Sequence, residues 1–94
     1  MTEQAHSESW KALEKAADAL ENAEYNLKGN FTLATANRSY YACYYCMSAL
    51  LYTRNVYAKT HQGARGKFSE IFIKELAVFP PEISDNLTLL FDYR

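Results

Sequence analysis

From Thr32 to Arg54 the chain contains no glycine or proline, and Tyr, Ala, Leu and Met are so dense in it that a helix built there is apolar nearly all round. Such a helix must be contacted on several sides, so the segment predicts the central helix of an all-α assembly. At about 100° per residue, Leu33, Tyr40, Tyr44, Met47 and Leu51 fall in one stripe. Tyr41, Tyr45 and Tyr52 lie beside it, and Ala42 and Ala49 lie behind.

Three further helices follow from local signals. Trp10, Leu13, Ala17, Leu20 and Leu27 recur at three- and four-residue steps between charged residues, which predicts an amphipathic helix from about Ser7 to Lys28. Ser7 is its expected N-cap and Gly29 its stop. Thr60 suits the N-cap of a third helix reaching about Leu76, with Phe68, Ile71 and Phe72 facing inward. Val78-Phe79-Pro80-Pro81 breaks the chain, and Pro81 opens a fourth helix carrying Ile83, Leu87, Leu90 and Phe91 towards Arg94. Short links favour antiparallel neighbours. The expectation is one domain over residues 1–94, an up-and-down antiparallel bundle of four helices.

Composition narrows the function classes. A chain of 94 residues buries only somewhat over half its surface, so a homodimer or a protein partner is expected. Apolar residues at 49% and charged ones at 22% describe a soluble globular chain. No apolar run reaches the ~20 residues of a membrane span, and the N-terminus carries no apolar signal core, so a cytoplasmic protein without membrane attachment is expected. The net charge of −1 hides segregation. Glu3, Glu8, Glu14, Asp18, Glu21 and Glu24 crowd the first quarter, while Arg54 to Lys67 holds Arg54, Lys59, Arg65 and Lys67 with no acid. That patch reads either as a phosphate site or as a solvated basic turn.

Cys43 and Cys46 have the spacing of a metal or redox motif. A tetrahedral zinc needs two more ligands, and the only histidines are His6 and His61. A redox pair sits at a helix N-terminus after a strand, whereas this one lies inside a helix. Both cysteines are therefore read as packing residues, with no metal and no cofactor expected. Asn37 and Arg38 read as a polar network within the bundle or as residues facing a gap.

The run Arg38-Ser39-Tyr40-Tyr41-Ala42 with Tyr44, Ala49, Leu50 and Leu51, then Lys59-Thr60-His61-x-Gly63, Phe68 and Phe72, resembles the HEPN (higher eukaryotes and prokaryotes nucleotide-binding) domain over roughly residues 8–94. Trp10, Ala17, Leu20 and Ala23 fit the same resemblance. It implies an all-α bundle that commonly dimerises, associated with nucleotides or RNA, and often paired with a small nucleotidyltransferase in toxin–antitoxin systems. It also implies that a further helix follows Leu90-Phe91-Asp92-Tyr93-Arg94, so that one face of this chain is left uncovered.

Many members of the family are metal-independent RNases with an Arg followed by a His a few residues on, and here Arg54, Asn55 and His61 match that pattern. As Arg54 ends one helix and His61 begins the next, both are expected at the same end of the bundle. A His can move the 2′-hydroxyl or leaving-group proton, and a guanidinium can hold phosphorane charge. Lys59, Thr60, Gly63, Arg65 and Lys67 are the expected phosphate- or nucleotide-binding residues. Two functions stand open: a nucleotide- or RNA-associated module acting with a nucleotidyltransferase partner, and a metal-independent endoribonuclease toxin using Arg54 and His61.

Overall fold

The computed structural model describes residues 2–93, with side chains to Leu90. Four helices form in chain order: α1 (Glu3–Lys28), α2 (Thr32–Tyr52), α3 (His61–Phe68) and α4 (Glu82–Tyr93). No strand occurs among the described residues. The fold is the expected all-α helical bundle. Arg94 and the side chains of Phe91, Asp92 and Tyr93 lie outside the described residues.

α1 starts earlier than its pattern suggests. Thr2, not Ser7, is the N-cap: its hydroxyl accepts the Ala5 N–H at 3.0 Å, and Ser7 is an exposed position inside the helix. Glu3 in the first turn and Lys28 in the last both complement the helix dipole. After Gly29, Asn30 takes a left-handed φ of 63°, a conformation its short polar side chain tolerates. Glycine at 29 answers a close approach, because a Cβ there would stand 2.6 Å from the Phe31 ring.

The buried face of α1 differs from the expected one. Ala5, Ser9, Ala12, Ala16, Ala19 and Ala23 are the buried residues, and they recur at alternating steps of four and three along the helix. Trp10, Leu20 and Leu27 are exposed, at 61%, 53% and 64%, and Leu13 at 43%. The small side chains let α1 lie close against Ala42 and Ala49 of α2, close enough for Ser9 Oγ to donate to the Ala49 main-chain carbonyl at 2.9 Å. Large residues on that face would hold the helices apart. They lie outside the buried row instead, and Leu13 and Leu20 border an open groove of about 580 Å³ together with Cys43, Cys46, Leu50, Ile83 and Leu87.

The principal core lies on the other side of α2. Met47, Leu51, Ala64, Phe68, Phe72 and Ile73 are buried together, with Tyr44, Val56 and Phe79 packed around them. Leu51 is 1% exposed. Within the stripe expected on α2, Tyr40, Met47 and Leu51 are buried and Tyr44 is half-buried, whereas Leu33 is 79% exposed because it lies in the first turn, short of the core. α3 continues as a π-helical segment, Ser69–Glu75. Its wider i→i+5 turn lets neighbouring Phe72 and Ile73 both reach the core that Phe68 enters one turn earlier. The chain then reverses through Ala77 at φ 51° and enters α4 just after Pro81, with Ser69 and Ser84 hydroxyls 3.2 Å apart across the junction.

Candidate functional site

α3 begins on Thr60, whose extended backbone and side chain make it an N-cap: Oγ1 accepts the Gly63 N–H at 2.9 Å. A Cβ on residue 63 would stand 2.9 Å from that hydroxyl, so glycine is what lets the cap close. The cap places His61 at the first position of α3, directed at α2. There the Tyr40 hydroxyl and His61 Nδ1 share a 2.5 Å hydrogen bond. With the phenol donating, His61 keeps its proton on Nε2.

Three tyrosines surround the imidazole. Its centroid is 4.0 Å from that of Tyr44, 5.5 Å from Tyr40 and 5.6 Å, edge to face, from Tyr41. Tyr40 is buried, while Tyr41, Tyr44 and His61 are half-buried. Beyond Tyr41 stands Arg38, its guanidinium carbon 4.9 Å from the ring centroid. Asn37 Oδ1 holds that guanidinium, accepting from Nε at 3.0 Å and Nη2 at 2.6 Å. Asn37 and Arg38 thus form a local polar pair that orients a cation over an aromatic ring.

The expected site residues are placed as follows. Arg54 is exposed in the turn that ends α2. Arg54 follows the C-terminal end of α2, whereas His61 packs against Tyr44, more than two helical turns earlier. The link between them runs back along α2, with Tyr57 stacked on Tyr52 at 5.0 Å and Val56 packed on the core. Asn55 has φ 58°, so a left-handed turn explains an Asn there. Lys59 and Thr60 adjoin His61 and are exposed. The Gly63 N–H is occupied by Thr60, Arg65 is half-buried, and Lys67 Nζ donates to Glu70 Oε2 at 3.3 Å.

Sequence reasoning missed Tyr40, Tyr41, Tyr44 and Arg38 as neighbours of His61. One signal was present: a buried tyrosine hydroxyl needs a polar partner, and His61 opens the helix that packs on the Tyr-rich one.

Cys43 and Cys46 line the apolar groove on the far side of α2. Burial raises both thiol pKa values above the usual range, and Cys46 adds to the shift at Cys43. A raised pKa means less thiolate at neutral pH. Both thiols are expected to react with iodoacetamide more slowly than free cysteine at neutral pH, gaining rate only as pH rises past the ordinary thiol range. Alkylation followed by mass spectrometry checks this, and a rate equal to free cysteine at neutral pH contradicts it. Burial likewise raises the Tyr52 phenol, helped by Tyr44 and the Glu8 carboxylate, so it stays protonated at neutral pH.

No helix among the described residues is long and apolar enough to cross a membrane. Residues 9–94 match the HEPN domain. The chain is 35% identical over 86 residues to the Methanocaldococcus jannaschii protein named "Putative toxin MJ0142", a match covering 89% of this chain and 56% of that protein. It is 33% identical over 87 residues to a UPF0332 protein of Thermotoga maritima, covering 93% of this chain and 64% of that one. The chain thus spans less than two thirds of the length of these relatives. No solved structure matches it. The family match over nearly the whole length, on an all-α bundle with the Tyr-rich helix at its centre, means that the chain belongs to the HEPN domain family.

Proposed function

We propose that this chain is a nucleotide- or RNA-binding HEPN module of the toxin type, which works as a homodimer or with a small nucleotidyltransferase partner and, as a single chain, binds without cutting. The observation that carries this reading is the placement of His61. It sits among Tyr40, Tyr41 and Tyr44 with Arg38 beyond. Aromatic rings and an oriented guanidinium suit bases and phosphates. A nuclease needs its proton shuttle and its phosphate clamp on the same phosphate, and Arg54 follows the end of α2 whereas His61 packs on Tyr44. The toxin name of the M. jannaschii relative supports the biological setting.

A second reading, the metal-independent endoribonuclease, is favoured by one feature. The Tyr40 hydroxyl on Nδ1 holds the His61 ring in one orientation, as a general acid–base is held. It requires Arg54, of the same chain or of a second copy, to reach the phosphate that His61 serves. Incubating purified protein with RNA in EDTA separates the two. The binding module is expected to shift the RNA on a native gel and leave it intact. Products ending in 2′,3′-cyclic phosphate, lost in His61→Ala and in Arg54→Ala, would overturn the binding reading in favour of the nuclease.

A further inference from the structure

Along the seam between α1 and α2, on the side away from the apolar groove, two polar hollows adjoin. One, of about 200 Å³, is walled by Lys11, Lys15, Tyr45 and Tyr52 among others. The second, of about 280 Å³, is walled by Lys15, Tyr45, Arg38 and Asp18 among others. Lys15 and Tyr45 border both, so the two lie side by side as one open channel along the seam. Rings and cations alternate along and beside it. Arg38 stands over Tyr41, Lys15 Nζ is 5.8 Å from the Tyr45 centroid, and the Tyr41 and Tyr45 rings are 6.0 Å apart. Tyr52 continues the row, stacked on Tyr57. From Tyr41 to Tyr52 the helix rises about 16 Å, a row long enough to meet several consecutive bases.

None of these three rings belongs to the principal core, and each is half-buried. Half-buried rings interleaved with cations match what an unpaired strand requires: bases stack on such rings with little regard to sequence, and the cations follow the phosphates. A duplex keeps its base faces covered and cannot use such a row. Glu8 and Asp18 also border the channel, and Lys11 lies 3.8 Å from Glu8. The local positive field is therefore small, so stacking carries more of the binding than charge does. At one edge the row meets His61 through the Tyr41 and Tyr44 rings.

We propose that the seam formed by Lys15, Arg38, Tyr41, Tyr45 and Tyr52 is a stacking site for single-stranded RNA that leads to His61. This rests on the reading of the chain as a nucleotide- or RNA-binding module and gives that module its surface and its substrate class.

The test is fluorescence anisotropy of a short fluorescein-labelled single-stranded RNA of mixed sequence, and of the same RNA as a duplex, with the intact chain. Single strands are expected to bind and duplex to bind much more weakly. Tyr45→Ala should weaken single-strand binding about tenfold or more, whereas Tyr45→Trp should preserve it. Lys15→Gln should reduce the slope of log affinity against log salt by about 0.7, the value for one phosphate contact on a single strand. If wild type binds the RNA but Tyr45→Ala and Lys15→Gln leave affinity and slope unchanged, the seam is not the site, and the module reading survives. Should wild type bind neither RNA nor mononucleotide, the module reading itself falls, and the seam proposal with it. A Tyr45→Ala protein that goes from dimer to monomer in sedimentation with RNA affinity intact overturns the proposal by making the seam a protein interface. If Tyr45→Ala loses helical circular dichroism, Lys15→Gln decides, and an unchanged salt slope overturns the site.

Discussion

Ala12→Leu is expected to destabilise the domain by about 3 kcal/mol, a larger loss than most surface truncations produce. Ala12 is 5% exposed and lies in the small-residue row that faces α2. One turn away, Ser9 Oγ reaches the Ala49 carbonyl at 2.9 Å, which sets how near the two helices stand. A leucine at 12 adds three heavy atoms to a face that stands this close to α2. It must either push α1 outward, breaking the Ser9 bond, or strain its own rotamer. The companion measurement is Leu20→Ala, on the exposed neighbouring face. Leu20→Ala removes little buried area and gains helix propensity, so its cost should stay within about 1 kcal/mol. Urea midpoints at constant m-value read both changes. The reverse ranking, with Leu20→Ala severe and Ala12→Leu neutral, would mean that α1 buries its Leu face in the folded chain. A loss at Leu20 that depends on protein concentration would instead mark that face as covered by a second copy.

Leu51→Ala should lower stability by about 2–5 kcal/mol, the range for a large side chain removed from a packed interior. Leu51 is 1% exposed and sits between Met47 of its own helix and Ala64, Phe68 and Phe72 of the next. It also marks where α2 hands over to the link, since its carbonyl accepts the N–H groups of Arg54 and Val56. A cavity there removes contacts on both sides of that junction, so α3 and the His61 it carries should loosen together. Leu51→Met, which nearly conserves volume, should cost less than about 1.5 kcal/mol. Chemical denaturation of the pair gives the comparison. Equal, small effects for both substitutions would show that residue 51 does not lie in the packed centre.

The helices themselves were legible because their signals are local. Gly29-Asn30, Thr60 and Pro80-Pro81 act through the backbone of their own segment, and each ends or starts a helix within a residue or two of the expected place. The uninterrupted Tyr-rich segment also specified a central helix, because an all-round apolar surface admits no other position. The candidate site was legible only in its parts. His61 and Thr60 could be picked out as single residues, but no local signal names the tyrosines that surround His61.

Two matters were decided by the tertiary structure alone. The first is which face of α1 is buried. Its Ala row and its Trp–Leu row both have helical periodicity, and hydropathy ranks leucine above alanine. The seam was settled by the fit to α2, where Ala42 and Ala49 leave room for close approach, a property of two surfaces and not of either one. The second is the company His61 keeps. The link from Asn55 to Thr60 can run onward or fold back with equal local propriety. It folds back with Val56 and Ala58 covered against the core, which carries His61 to Tyr40. Local chemistry thus determined where this chain is helical, and the pairing of surfaces distant in sequence determined which residues share a site.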